Sequence, residues 1–130
     1  MIELNDSFES LLRRFVNGDL RASKYLRSHQ HLMDQFFESG EPLIHVEPIG
    51  VLHILEQLLF DPHLRASVLG WVRQWRSHLG YVFDVDGDFE EMLLALDRLD
   101  DLDSEDDCPS PMEIRELHGN LESALRLRDG

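Results

Sequence analysis

Apolar side chains recur at three- and four-residue steps through most of the chain, and that period decides which folds are open to it. Phe8, Leu11, Leu12, Phe15 and Val16 mark one stripe, and Ala22, Tyr25, Leu26, His29, Leu32, Met33, Phe36 and Phe37 a second. Residues so spaced share one face of a 3.6-residue turn. Val51, Leu52, Ile54, Leu55, Leu58 and Leu59 form a third stripe, and Leu64, Val68, Trp71, Val72, Trp75 and Leu79 a fourth. A fifth runs through Phe89, Met92, Leu93, Leu96 and Leu99, and a sixth through Ile114, Leu117, Leu121 and Leu125. The expectation is an all-α fold, a five- to six-helix antiparallel bundle with short connections. A chain of 130 residues supports one core, so residues 1–130 read as a single helical domain.

Local signals place the boundaries. Asp6 or Ser7 can cap the first helix and Gly18 can end it, and the second is predicted from Asp19 to Gly40, making a helical hairpin across Asn17-Gly18-Asp19. The third is predicted over residues 49–60. Asp61-Pro62 closes it and opens the fourth, since proline lacks only an N–H that a helix start leaves unused; Gly80 is its stop. Leu43-Ile44-His45-Val46, set between Pro42 and Pro48, reads as an extended connection rather than a strand, and Tyr81–Asp86 reads as a loop. The fifth helix is predicted from about Asp88 to Leu102, and residues 103–110 as a flexible acidic loop. Ser110-Pro111-Met112-Glu113 carries the capping box of the last helix.

Charge is the feature that points to function. The chain holds 26 Asp and Glu against 12 Lys and Arg, a net charge of −14, of which residues 80–130 carry −12. Between Asp84 and Asp107 there are 12 acids and one base, Arg98. Such a surface repels nucleic-acid phosphates and favours a basic partner. A merely solvated face mixes signs, whereas a run of one sign carries a self-repulsion that solubility does not require. The strip therefore reads as an interface, with Asp84, Asp86, Asp88, Glu90, Glu91, Asp97, Asp100, Asp101 and Asp103 contacting the partner. Tyr81, Phe83 and Phe89 beside them are the candidate anchors that tight binding needs.

Other chemistry finds little footing in the sequence. Seven histidines include no H-E-x-x-H or similar spacing, so no metal is expected. Asp84-Val85-Asp86-Gly87-Asp88 opens like a calcium loop, but the sixth and twelfth positions hold Phe89 and Ala95 where such a loop needs Gly and Glu. Cys108, the one cysteine, rules out an internal disulfide and lies among carboxylates, the opposite of the cationic setting that activates a thiol. No nucleophile elbow, phosphate-cradling loop or dinucleotide fingerprint is present, so neither enzymatic activity nor a cofactor is expected. Trp71 and Trp75 share the apolar face of the fourth helix and are expected in the core. No apolar run approaches the roughly 20 residues of a membrane span, and the first residues do not read as a signal peptide, so the expected location is the cytoplasm.

The run Phe8-Glu9-Ser10-Leu11-Leu12-Arg13-Arg14-Phe15-Val16-Asn17-Gly18-Asp19-Leu20-Arg21-Ala22-Ser23-Lys24-Tyr25 resembles the opening of the small helical bacteriocin immunity proteins of the colicin D type. Those begin with an amphipathic helix, a Gly-acid-apolar turn and a second helix bearing an aromatic near its start. Met112–Leu127 after an acidic loop is more loosely similar. The resemblance implies a decoy, in which a carboxylate-rich helical surface fills the cationic cleft of an RNase toxin. Two other classes suit the charge: an acidic chaperone or adaptor for a secreted or assembling partner, and a nucleic-acid mimic directed at a DNA-binding or defence protein.

Overall fold

The computed structural model describes residues 10–29, 44–77, 83–85 and 89–129, and the helical period is realised through them. Helix α1 covers residues 10–16 and ends as its glycine predicts. Gly18 takes φ +95°, its N–H meets the Phe15 carbonyl at 3.0 Å, and Asp19 N–H reaches back to Arg14 at 3.0 Å. This is the Schellman arrangement, which satisfies carbonyls the helix end would leave unpaired. Asp19 then caps α2 (Leu20–Ser28), its Oδ1 accepting from Arg21 N at 2.9 Å and Ala22 N at 3.2 Å. Of the run predicted from Asp19 to Gly40, Leu20–Ser28 is realised as α2, and the part beyond His29 is not among the described residues. His29 leaves helical geometry with its ring stacked on Tyr25, and residues 30–43 lie outside the described set.

Helix α3 (Pro48–Phe60) is followed by a 3-10 turn (Pro62–Leu64) and α4 (Arg65–Ser77). Asp61 caps the turn, accepting from His63 N at 3.0 Å. Helix α5 (Glu90–Leu99) and α6 (Pro111–Asp129) complete the bundle, with Ser110 Oγ accepting from Glu113 N at 3.1 Å. The predicted fifth helix is shorter than expected at its C-terminal end. There Asp101 N and Leu102 N bond back to Arg98 and Leu99 in tightened three-residue turns, which carry Leu102 into the core.

Two segments read as extended connection and loop are strands instead. β1 (Ile44–Val46) pairs in parallel with β2 (Phe83–Val85), Ile44 opposite Phe83 and Val46 opposite Val85. Parallel strands need a long crossover, and here α3 and α4 supply it. The ladder satisfies backbone groups of both strands. It adds a three-residue ribbon to the all-α bundle.

The core is built on both tryptophans. Trp71 and Trp75 are almost wholly buried, packed with Phe15, Leu12, Leu26, Ile54, Leu55, Met92, Leu96 and Leu99. Trp71 Nε1 donates to the Phe15 carbonyl at 2.6 Å. Helix α6 lies along α3 and α5, α2 packs on α4, and a buried Ser23–Gln74 hydrogen bond of 3.1 Å crosses the latter contact. Helix α3 also closes the end of α1: His53 Nδ1 lies 3.0 Å from the Asn17 carbonyl, and Gln57 Nε2 donates to Gly18 at 2.8 Å. No helix among the described residues is long and apolar enough to cross a membrane.

Candidate acidic interface

Helix α5 turns Met92, Ala95, Leu96 and Leu99 inward, and that apolar stripe determines which acids face out. Glu90, Glu91 and Asp97 are exposed, the first two in the opening turn, where negative charge suits the helix dipole. Leu94, three or four residues from each of them, is 54% exposed. Sequence reading did not single it out, although its place off the 92/96/99 stripe is the signal that finds it.

The C-terminal part of the strip is not the uncompensated surface its sequence suggests. Arg73 and Arg76, one turn apart on α4, converge on Asp100: Arg73 Nε lies 3.1 Å from Oδ1 and Arg76 Nη1 2.8 Å from Oδ2. Arg73 also reaches Asp103 at 3.0 Å. The hydrogen bond to Asp100, helped by Asp103, raises the pKa of the Arg73 guanidinium further. Arg98 gathers the rest. It pairs with Asp101 at 2.8 Å and Asp107 at 3.3 Å, donates to the Asp107 backbone carbonyl at 2.9 Å, and meets Glu113 as a two-pronged fork. Residues 100–107, which span the expected end of the fifth helix and the first part of the acidic loop expected at 103–110, wind around this guanidinium in successive turns. Asp100, Asp101 and Asp103, read from sequence as partner contacts, are therefore engaged inside the molecule. Asp100 and Asp103 draw their counter-charges from Arg73 and Arg76 on α4, outside the strip, and Asp101 draws its own from Arg98, the strip's one base.

The same fork alters the predicted capping box. Ser110 makes its half, but the Glu113 carboxylate turns to Arg98, whose hydrogen bond holds it below the usual glutamate range. A depressed carboxyl contributes stability above its ordinary pKa, 4.5 for this group, and that contribution is lost as pH falls through the folded value. Glu113→Gln is accordingly expected to be less stable than the parent at neutral pH, with the gap closing below about pH 4.5 in denaturant melts across an acid series. A gap of constant size would show that the pair does not carry the linkage. Asp19 behaves alike. Burial pushes its carboxyl up, but the Arg14 guanidinium and the amides of Ala22 and Arg21 together leave it below the ordinary value.

The remaining sequence-predicted residues divide clearly. Glu90, Glu91 and Asp97 are exposed and have no ion-pair partner among the described residues. Phe89 is only 8% exposed and belongs to the core, so it is corrected from candidate anchor to packing residue. Tyr81, Asp86 and Asp88 lie outside the described residues, and Phe83 and Asp84 are described only as backbone of β2. Cys108 is half-buried and its nearest charged neighbour is a cation: Arg65 Nη2 donates to its Sγ, where the sequence suggested carboxylates. His29, His53 and His118 make local packing and helix contacts, as in His118 Nε2 to Glu56 at 3.2 Å between α6 and α3. Among the described residues no three His, Cys, Asp or Glu side chains converge to hold a metal.

No protein-family model, no curated protein and no solved structure matches this chain.

Proposed function

We propose that this chain is a non-enzymatic cytoplasmic inhibitor of the immunity-protein kind, which binds a basic nuclease-type toxin domain and fills its cationic substrate cleft. The observation that supports this reading is the outer face of α5, where exposed Leu94 stands among Glu90, Glu91 and Asp97, none of which has an arginine or lysine partner among the described residues. An apolar contact ringed by carboxylates fits a partner surface of lysines and arginines around a shallow apolar spot. The carboxylates steer encounter and the leucine supplies desolvated contact. The fork at Arg98 and the Arg73–Asp100 pair hold the neighbouring loop in place, so the charged surface is rigid when the partner arrives.

The test begins with immobilised protein, from which bound material is released by rising salt and identified by mass spectrometry, followed by association kinetics with the released nuclease. The triple variant Glu90→Lys, Glu91→Lys, Asp97→Lys is expected to slow association by about tenfold or more at low ionic strength, with the effect shrinking as salt screens it. These three are chosen because reversing Asp100 or Asp101 would set a lysine against Arg73, Arg76 or Arg98 and damage the fold itself. Unchanged association kinetics would refute the interface. A salt-resistant apolar client would favour the chaperone class, and displacement of the partner by duplex DNA would favour the nucleic-acid mimic.

A further inference from the structure

Beside Leu102, where the acidic loop begins, lies a hollow whose charged lining residues are of the opposite sign. Between the end of α3, the turn before α4 and the start of α6 there is a cavity of about 130 Å³, walled by Leu58, Leu59, Leu102 and Ile114, with Arg65 and Arg115 also lining it. Several arginines are matched to carboxylates: Arg14 to Asp19, Arg73 and Arg76 to Asp100, Arg98 to three acids, Arg126 to Glu122. On a chain with 26 acids, Arg65 and Arg115 meet no carboxylate among the described residues, yet they line the same hollow. Arg65 is also fixed in place, donating from Nη2 to the Leu102 carbonyl at 3.1 Å and to Cys108 Sγ. The other donors of its five-donor fork are not used by these bonds.

We propose that this cavity binds a small carboxylate with a ring-sized apolar body, the ring among Leu58, Leu59, Leu102 and Ile114 and the carboxylate against Arg65 and Arg115. The volume sets the size of the body, because an apolar cavity of about 150 Å³ is known to take up benzene. The two arginines set the charge, since guanidinium recognises carboxylate through paired, charge-assisted hydrogen bonds. The apolar walls remove the ring from water, while Arg65 and Arg115, both exposed, hold the carboxylate end toward solvent. The strongly negative remainder of the molecule makes a local pair of unmatched cations selective for an anion that also has an apolar body, since a bare anion is repelled elsewhere and gains nothing from the walls. This site stands independently of the inhibitor reading.

Benzoate is the probe, titrated into the full ¹⁵N-labelled chain, with benzamide as the uncharged isostere and acetate as the charge without the ring. Benzoate is expected to give saturable shifts centred on the amides of Leu59, Leu102 and Ile114, with benzamide and acetate each about tenfold weaker. Arg115→Gln, an exposed position that leaves the walls intact, is expected to weaken benzoate about tenfold and to leave the weak benzamide response unchanged. Shifts scattered over the surface without saturation, equal response to benzoate and benzamide, equal response to acetate, or indifference to Arg115→Gln would each overturn the assignment.

Discussion

Gly50→Ala is expected to destabilise the protein by about 3 kcal/mol, although alanine is intrinsically the better helix former by about 1 kcal/mol. The position lies in the first turn of α3, where that helix crosses the end of α1. A Cβ built there would stand 1.9 Å from the Val16 carbonyl oxygen, 3.0 Å from its carbon and 3.2 Å from Asn17 Cα. All three are backbone atoms, so no side-chain rotation relieves the clash and the two helices must separate. Separation also strains the contacts of His53 with Asn17 and of Gln57 with Gly18, which satisfy the carbonyls at the end of α1. The steric cost therefore outweighs the propensity gain. Gly119→Ala is the matched control: it lies within α6, nothing stands within 4 Å of the added Cβ, and the propensity gain of about 1 kcal/mol should appear as added stability. Chemical denaturation of both variants checks the pair. A Gly50→Ala protein as stable as the parent would mean that α1 does not pack on α3 as described.

Trp71→Ala is expected to be costlier still, about 4 kcal/mol, a large part of the 5–15 kcal/mol that typically holds a domain together. The side chain is wholly buried, with ring centroids 5.8 Å from Phe15 and 6.2 Å from Trp75, and alanine leaves a cavity between α1 and α4 that neighbouring rings cannot fill. Trp71→Phe separates packing from hydrogen bonding. It keeps an aromatic body but removes the Nε1 donor to the Phe15 carbonyl, and about 2 kcal/mol is the expected loss. Equal destabilisation by the two substitutions would show that the indole N–H, rather than the ring volume, dominates at this position.

The elements that were legible in the sequence are those whose partners lie within a few residues. Asp19 caps α2 through amides two and three positions on, Ser110 caps α6 through Glu113 N, and Gly18 and Asp19 close α1 through carbonyls three and five positions back respectively. The tryptophan pair was legible as core because a helical stripe exposes one face only, and burial follows from the period. The β1–β2 ribbon was not, since Ile44 finds Phe83 across two intervening helices and three-residue strands carry no period of their own. Phe89 stood both on the fifth apolar stripe and among the candidate anchors, and its burial just before α5 follows the stripe rather than its position beside the acids.

The candidate interface divides along the same line. The excess of negative charge and its concentration in residues 84–107 are properties of the chain, and they hold in any fold. Which acids remain available is a property of the fold alone. Arg73 and Arg76 lie 24 to 30 residues from Asp100 and Asp103, and only the packing of α4 beside α5 brings them together. The same packing leaves Glu90, Glu91 and Asp97 without a described partner around Leu94, and leaves Arg65 and Arg115 lining a cavity without a carboxylate. Sequence by itself determined the helices, their caps, the buried stripe and the total charge, because those depend on short-range geometry and composition. The tertiary structure decided where charge is cancelled and where it is exposed, because ionic partners are chosen by distance in space rather than by separation along the chain.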